Sequence, residues 1–137
     1  MNREIKFRGK GIADNEWYYG DLIQVESGRV HYFIIQDYEI KEDRIELNTC
    51  ASPEVNPDTI GQYTGLNDKN GKEIYEGDIV GDNKIKWIVK WNKHRMGFSL
   101  YPTTEQLYDE MPINVENKLN FKILGNIYDN PKLLGGE

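Results

Sequence analysis

The stretch from Thr59 to Val80, TIGQYTGLNDKNGKEIYEGDIV, places two apolar, β-forming runs on either side of a concentrated turn signal. Within it, Asn67-Asp68-Lys69-Asn70-Gly71 groups residues that accept left-handed backbone angles or bond their own main chain. Asn70-Gly71 between apolar runs is the strongest short-range hairpin signal a sequence carries, so the chain is expected to reverse there. Gly77-Asp78 predicts a second sharp bend that feeds Ile79-Val80 into a strand, with the Asp78 carboxylate capping exposed backbone N–H groups. Gly61, Gly65, Asn70, Gly71, Gly77 and Asp78, with Gly125 further on, form the structural signature. Four carboxylates crowd this turn, Asp68, Glu73, Glu76 and Asp78, and converging oxygens are what a hard cation needs. Lys69 and Lys72 break the calcium-loop spacing, so the expected roles are turn capping and solvation, and no metal is assigned.

Outward from this hairpin, a period of two dominates. Lys84 to Trp91 alternates cleanly: Ile85, Trp87, Val89 and Trp91 share the face expected on the core, and Lys84, Lys86, Ile88 and Lys90 share the other. Asn92 to Gly97 turns the chain, and Phe98-Ser99-Leu100-Tyr101 returns as the partner strand. Upstream, Ile5 and Phe7 alternate with Lys6 and Arg8 as a short strand, and Gly9 to Glu16 reads as a polar turn. Trp17-Tyr18-Tyr19 leads into Gly20-Asp21-Leu22-Ile23, a second Gly-Asp bend entering a strand. Ser27-Gly28 marks a turn before the strong strand signal of Val30 to Ile35.

Asp37 to Pro57 is charged and punctuated by Pro53 and Pro57, and reads as a long loop with one short strand at Arg44–Leu47. Thr103 to Glu110 carries the helical signal, a Thr103 or Thr104 cap and a stripe of Leu107, Tyr108 and Met111 stopped by Pro112. Phe121 to Tyr128 is a last strand interrupted at Gly125, and Asp129-Asn130-Pro131 bends it into a tail. The fold class is mainly β, with at most one or two short helices.

Nine Tyr and three Trp in 137 residues, with dense charge, describe a folded β-rich chain, long enough to bury a core as a single domain over 1–137. The formal charge of −6 speaks against wholesale attraction to nucleic acid or an anionic membrane. Cys50 is the single cysteine, so no internal disulfide is expected and a reducing cytoplasm is the natural location. No apolar run has the length of a signal peptide core or a membrane span.

Two features recur in one order. Gly20-Asp21-Leu22-Ile23 precedes Ile60-Gly61-Gln62-Tyr63, and Gly77-Asp78-Ile79-Val80 precedes Leu124-Gly125-Asn126-Ile127-Tyr128. One reading is a degenerate tandem of small β modules, with halves 1–66 and 72–131. The other is that Gly-Asp turns and strand glycines recur in any β protein.

Three segments resemble the YopX family. IKFRGKG with WYYGDLI resembles its opening, PDTIGQYTGLNDKNGKEIYEGDIV its centre, and ILGNIYDNPKLL its close. The resemblance implies a mostly β fold containing an SH3-like barrel, encoded by phages or by prophages of chiefly Gram-positive bacteria. It brings no catalytic or binding residues with it.

The candidate binding surface read from the residues is the hairpin Lys84–Arg95, where Lys84, Lys86, Lys90, Lys93 and Arg95 stand in an otherwise acidic chain. SH3-like barrels that bind nucleic acid meet phosphates with basic side chains and stack bases on aromatics. Trp87 and Trp91 are expected inward, however, and surface lysines also guard sheet edges against aggregation. A basic patch continuous with Arg3, Lys6, Arg8 or Lys10 would favour nucleic acid. His31, His94 and Cys50 have no partner at ligand or nucleophile spacing, and phosphate-loop, nucleophile-elbow and dinucleotide motifs are absent, so no catalytic residue and no cofactor are expected. Tyr18, Tyr19, Tyr32, Tyr38 and Tyr63 exceed what so small a core holds. They fit either an interface with a host or phage protein or with a second copy, or solvated barrel ends.

Overall fold

The structure is a computed structural model that describes residues 3–48, 51–82, 84–103, 110–113 and 121–135. The chain divides into two units, Met1–Gln62 and Tyr63–Glu137. Every strand pairing among the described residues is antiparallel, as a mainly β chain with short connections requires. Among the described residues none of the sheets is closed, so open sheets stand where an SH3-like barrel was expected.

In the first unit, β1 (Phe7–Lys10), β2 (Trp17–Ser27) and β3 (Arg29–Ile35) form a meander. Gly28, at φ 73°, sits at the tight reversal between Ser27 and Arg29 that the Ser-Gly pair predicts. Ile5 is exposed and precedes β1, so the strand starts later than its alternation implied. Gly20-Asp21 makes no bend either, since both residues lie inside β2. Glycine stands at position 20 because the Ile35 carbonyl passes where a Cβ would be.

Residues 37–57 contain the short strand expected at Arg44–Leu47, as Ile45–Leu47, and more structure than the loop expected around it. β4 (Tyr38–Ile40) and β5 (Ile45–Leu47) pair as a separate two-stranded hairpin. Beyond it the backbone runs against β3, with Ile34 N–H donating to Pro53 O (3.1 Å) and Val55 N–H to Tyr32 O (2.8 Å). Proline is tolerated in such an outer segment because its missing N–H leaves no ladder bond unmade. Val55 is fully buried, with its methyl groups against Gly9, where any side chain would collide. With Ile34 and Ile35 it forms a small core, each side chain contributing about 1.5–3 kcal/mol on burial.

β6 (Gly61–Asn67) begins in the first unit, where Gly61 and Gln62 pair with Arg8 and Phe7. It continues into the second, where Tyr63 and Asn67 pair with Tyr75 and Glu73 of β7 (Glu73–Tyr75). The second unit then lays down β8 (Asp78–Gly81), β9 (Lys86–Asn92), β10 (Gly97–Pro102), β11 (Met111–Pro112) and β12 (Lys122–Asn126). Their order is β11-β10-β9-β8-β12.

Val80, Trp87, Val89 and Leu100 join Ile74 in one buried cluster, with Phe98, Phe121 and Ile123 against it. Alternation along β9 therefore places Trp87 and Val89 correctly. It fails at Trp91, which is 45% exposed and meets only one ring edge-on, that of its cross-strand neighbour Phe98 at 5.2 Å among the described contacts. Parity defines a face of a strand, and that face is core only as far as another layer covers it. The opposite face is not plain solvent: Ile88 pairs with fully buried Ile79, and Ile88 and Lys86 are both half-buried.

Gly125 marks a slip of register between β12 and β8, the interruption read in the sequence, and the Asn130 side chain occupies the place of its missing Cβ. Pro131–Gly135 is a 3-10 turn. The expected helix at Thr103–Glu110, with Leu107 and Tyr108, falls for residues 104–109 outside the described residues, as does Cys50.

Candidate functional site

Two of the four carboxylates of the central signature, Asp68 and Asp78, hold backbone. The chain does reverse at residues 68–72, with Gly71 at φ 83°. Asp68 is buried in that turn, its Oδ1 accepting from the N–H groups of Asn70 and Lys72, both at 2.9 Å. Its Oδ2 accepts from Ile123 N–H at 2.9 Å, tying the turn to β12. Burial pushes the Asp68 carboxyl up, but the Ile123, Lys72 and Asn70 donors and the Lys72 charge outweigh it and hold the group below the usual carboxylate range. Asp78, only 2% exposed, accepts from Tyr75 N–H at 2.8 Å, which is the capping its Gly-Asp context predicts. Glu73 accepts from the Tyr75 hydroxyl at 3.1 Å.

In the first unit a different feature stands out, one the sequence reading missed. Ile40, Ile45, Leu47 and Tyr38 of the β4–β5 hairpin are exposed, Ile40 by 74% and Ile45 by 62%. With Ile23 and Ile35 they line a trough of about 340 Å3, and Asp21 stands in its wall. A second, polar hollow of about 420 Å3 shares Tyr38 and Leu47 with it and is bordered by Asp37, Glu39 and Glu46. Lys41 pairs with Glu39 at 3.2 Å, and Arg44 pairs with Asp43 and Glu46 at 3.1 and 2.9 Å. The hairpin's basic charges are thereby matched, leaving Asp21 in the trough and Asp37 in the adjoining hollow as acidic groups outside those pairs. Its signal in the sequence is the two triplets Tyr38-Glu39-Ile40 and Ile45-Glu46-Leu47, each a short alternation hidden in a charged run.

The basic hairpin predicted from the sequence is present, and its members differ in environment. Lys84, Lys90, Lys93 and Arg95 are exposed, while Lys86 is half-buried. Lys90 Nζ lies 5.5 Å from the centre of the Tyr101 ring. Arg95 pairs with Glu110 at 2.8 Å, so one of the five positive charges is neutralised by a residue outside the hairpin. The Ser99 hydroxyl, aided by Arg95 and Asn92, holds the Glu110 carboxyl below its usual range.

Two side-chain caps make the hairpin's turns rigid. Asp82 Oδ1 accepts from Lys84 and Ile85 N–H at 2.7 and 2.9 Å, and Asn92 Oδ1 from His94 and Arg95 N–H at 2.9 and 3.2 Å. Beyond the second cap, Met96 takes φ 55° and is 74% exposed, beside exposed Trp91. Arg8 and Lys10 of the N-terminal basic group are engaged elsewhere, their cationic groups 4.6 and 5.4 Å from the centre of the Trp17 ring.

His31 contacts the Glu54 carboxylate through Nδ1 (3.0 Å) and the Ser27 carbonyl through Nε2 (3.2 Å), and Arg29 also pairs with Glu54 at 3.0 Å. The histidine thus closes the β2–β3 turn onto the 51–57 segment. Among the described residues no group of three or more His, Cys, Asp or Glu side chains converges in a metal-binding arrangement. No helix among them is long and apolar enough to cross a membrane.

A comparison with curated proteins finds no match. The structure resembles the crystal structure of protein EF1440 from Enterococcus faecalis, with a TM-score of 0.67 at 24% identity, over 97% of this chain and 99% of that one. That likeness concerns the fold. The family model described as YopX protein matches residues 6–135, a span that includes the opening, central and closing segments of the sequence together with the trough and the basic hairpin, and the chain belongs to the YopX family.

Proposed function

We propose that this chain is a non-catalytic, phage- or prophage-encoded module of the bacterial cytoplasm that binds a polypeptide through the β4–β5 trough. The observation that supports the reading is the exposure of Ile40, Ile45 and Leu47 around one cavity. Aliphatic side chains grouped on a soluble surface and rimmed by charge are characteristic of interaction sites, whereas scattered ones need no explanation. A trough of about 340 Å3 lies at the small end of the range of ligand sites, with room for one or two side chains of a partner. The five-stranded antiparallel sheet of the second unit agrees in strand number with an SH3-like module.

Selection of a random peptide library on the wild-type chain, with an Ile45→Lys/Leu47→Lys variant as the counter-target, tests this. Enriched peptides that lose at least tenfold in affinity on the variant are expected. Recovery of no peptide that distinguishes the two proteins would remove the reading.

A second reading, a nucleic-acid-associated module using Lys84, Lys86, Lys90, Lys93 and Arg95, gains from the exposure of Trp91, which leaves an indole accessible on the hairpin that carries those charges. Binding of labelled single- and double-stranded DNA and RNA across a salt series separates the two. Under this reading affinity falls steeply with salt and vanishes in Lys84→Glu/Lys86→Glu/Lys90→Glu. Absence of binding at low salt excludes it.

A further inference from the structure

The chain carries both halves of one complementary pair. The trough in the first unit is lined by apolar Ile23, Ile35, Ile45 and Leu47, with Asp21 in its wall and Asp37 in the adjoining hollow as acidic groups beyond those that Lys41 and Arg44 pair with. The β9–β10 hairpin end in the second unit is the reverse: a turn with exposed Trp91 and Met96 flanked by Lys90 and Lys93, the Arg95 charge being paired with Glu110. Its Asn92 cap holds that turn in one conformation, so little ordering entropy opposes its docking. One or two large apolar side chains presented on a tight turn match a cavity of about 340 Å3, and the opposed charges set orientation and encounter rate.

We infer that the trough receives the Trp91–Met96 hairpin end of a second copy of this chain, in a head-to-tail contact that rests on the trough's being a polypeptide-binding site. Different patches meet in such a contact, so the pair retains one free trough, on the copy that donates its hairpin end, and one free hairpin end, on the copy that receives it. Trough against trough is disfavoured, because the acidic groups of two copies would face each other.

The test uses the full chain in sedimentation velocity over a range of concentration and salt, with two variants that change only exposed side chains. Ile45→Lys/Leu47→Lys spoils the trough, and Lys93→Glu/Met96→Asp spoils the hairpin end; circular dichroism and tryptophan fluorescence check that both keep the fold. The wild-type mass is expected to rise above the monomer with concentration and to fall back as salt is added. Each variant alone should remain monomeric. An equimolar mixture of the two should form a dimer and nothing larger, because together they hold one intact trough and one intact end.

A wild-type chain that stays monomeric at millimolar concentration overturns the inference, and so does a mixture in which association is not restored. Peptide selection distinguishes this failure from that of the broader reading. If trough-dependent peptides are recovered while the chain stays monomeric, the trough binds another polypeptide. If neither is observed, both conclusions fall together.

Discussion

Asp21 and Asp78 each follow a glycine and precede two aliphatic residues, one motif in each unit. Asp78 is buried and caps Tyr75 N–H, while Asp21 is exposed in the middle of a long strand, in the wall of the trough. The surroundings of the two motifs differ in the same direction. The second unit closes Ile74, Val80, Trp87, Val89 and Leu100 into one cluster. The first buries Ile34, Ile35 and Val55 but leaves Tyr38, Ile40, Ile45 and Leu47 open to solvent. Local sequence therefore supplies the backbone preference, and what packs against the motif decides whether its carboxylate is structural or available. The neighbours differ as well, since the Gly-Asp strand of the second unit pairs directly with the closing strand β12, whereas in the first unit β1 lies between the equivalent elements.

Leu100→Ala should reveal the largest contrast. A fully buried leucine replaced by alanine costs about 2–5 kcal/mol, while Ile45→Ala on the exposed hairpin should change stability by less than about 0.5 kcal/mol. Urea unfolding of the two variants reads this directly, and equal losses would mean that the trough is covered within the monomer. Next comes the motif itself. Asp78→Ala strands the buried Tyr75 N–H and should cost about 2–3 kcal/mol, against about 0.5 kcal/mol or less for Asp21→Ala.

The units should agree at one pair of positions. A Cβ at Gly20 would collide with the Ile35 carbonyl, and one at Gly81 with the Ile85 carbonyl, so Gly20→Ala and Gly81→Ala should each cost about 1–3 kcal/mol. A silent substitution at either site would show that the strand there adjusts freely.

The smallest effect is a pH dependence. Asp68 titrates below its ordinary range in the folded state, so its stabilisation is complete above the unfolded value of 3.8 and is lost as pH falls through the lower folded value. Asp68→Asn should cost about 1 kcal/mol at pH 7, and the gap from wild type should shrink on acidification below about pH 4. A gap unchanged down to pH 2 would mean that the Asn side chain's deficit is geometric and not electrostatic.

The second unit was largely legible in the sequence for the reason these contrasts bring out. Asn70-Gly71, the alternation of Trp87 and Val89, the cap at Asp78 and the interruption at Gly125 are local signals whose outcome a buried face reinforces. Trp91 was misplaced because the alternation continues past the last covering side chain. Of the β4–β5 hairpin, β5 was legible as the short strand expected at Arg44–Leu47, but its partner Tyr38-Glu39-Ile40 was not, being three residues, too short for periodicity to outweigh the charges around it. Gly20-Asp21 read as a bend because propensity registers the glycine and not the Ile35 carbonyl that requires it. The trough is thus invisible to pattern: its residues come from β2, the end of β3 and the β4–β5 hairpin, and become a surface only once these are brought together.

The reach of Asp68 to Ile123 also sets a schedule for the chain as it is made. The first unit is complete by Gln62, so its strands can pair while synthesis continues. The turn at residues 68–72 emerges next, but one of the three donors of its central carboxylate, and the partner of β8 on that side, lie in β12. Its Ile123 lies 55 residues beyond Asp68, several seconds of translation at about 5–20 residues per second. Throughout that interval β8 presents an unpaired edge and Ile79 and Val80 lack their final cover, which makes the nascent second unit, and not the solvent-facing hairpin of the first, the stage at which a ribosome-associated chaperone would be needed.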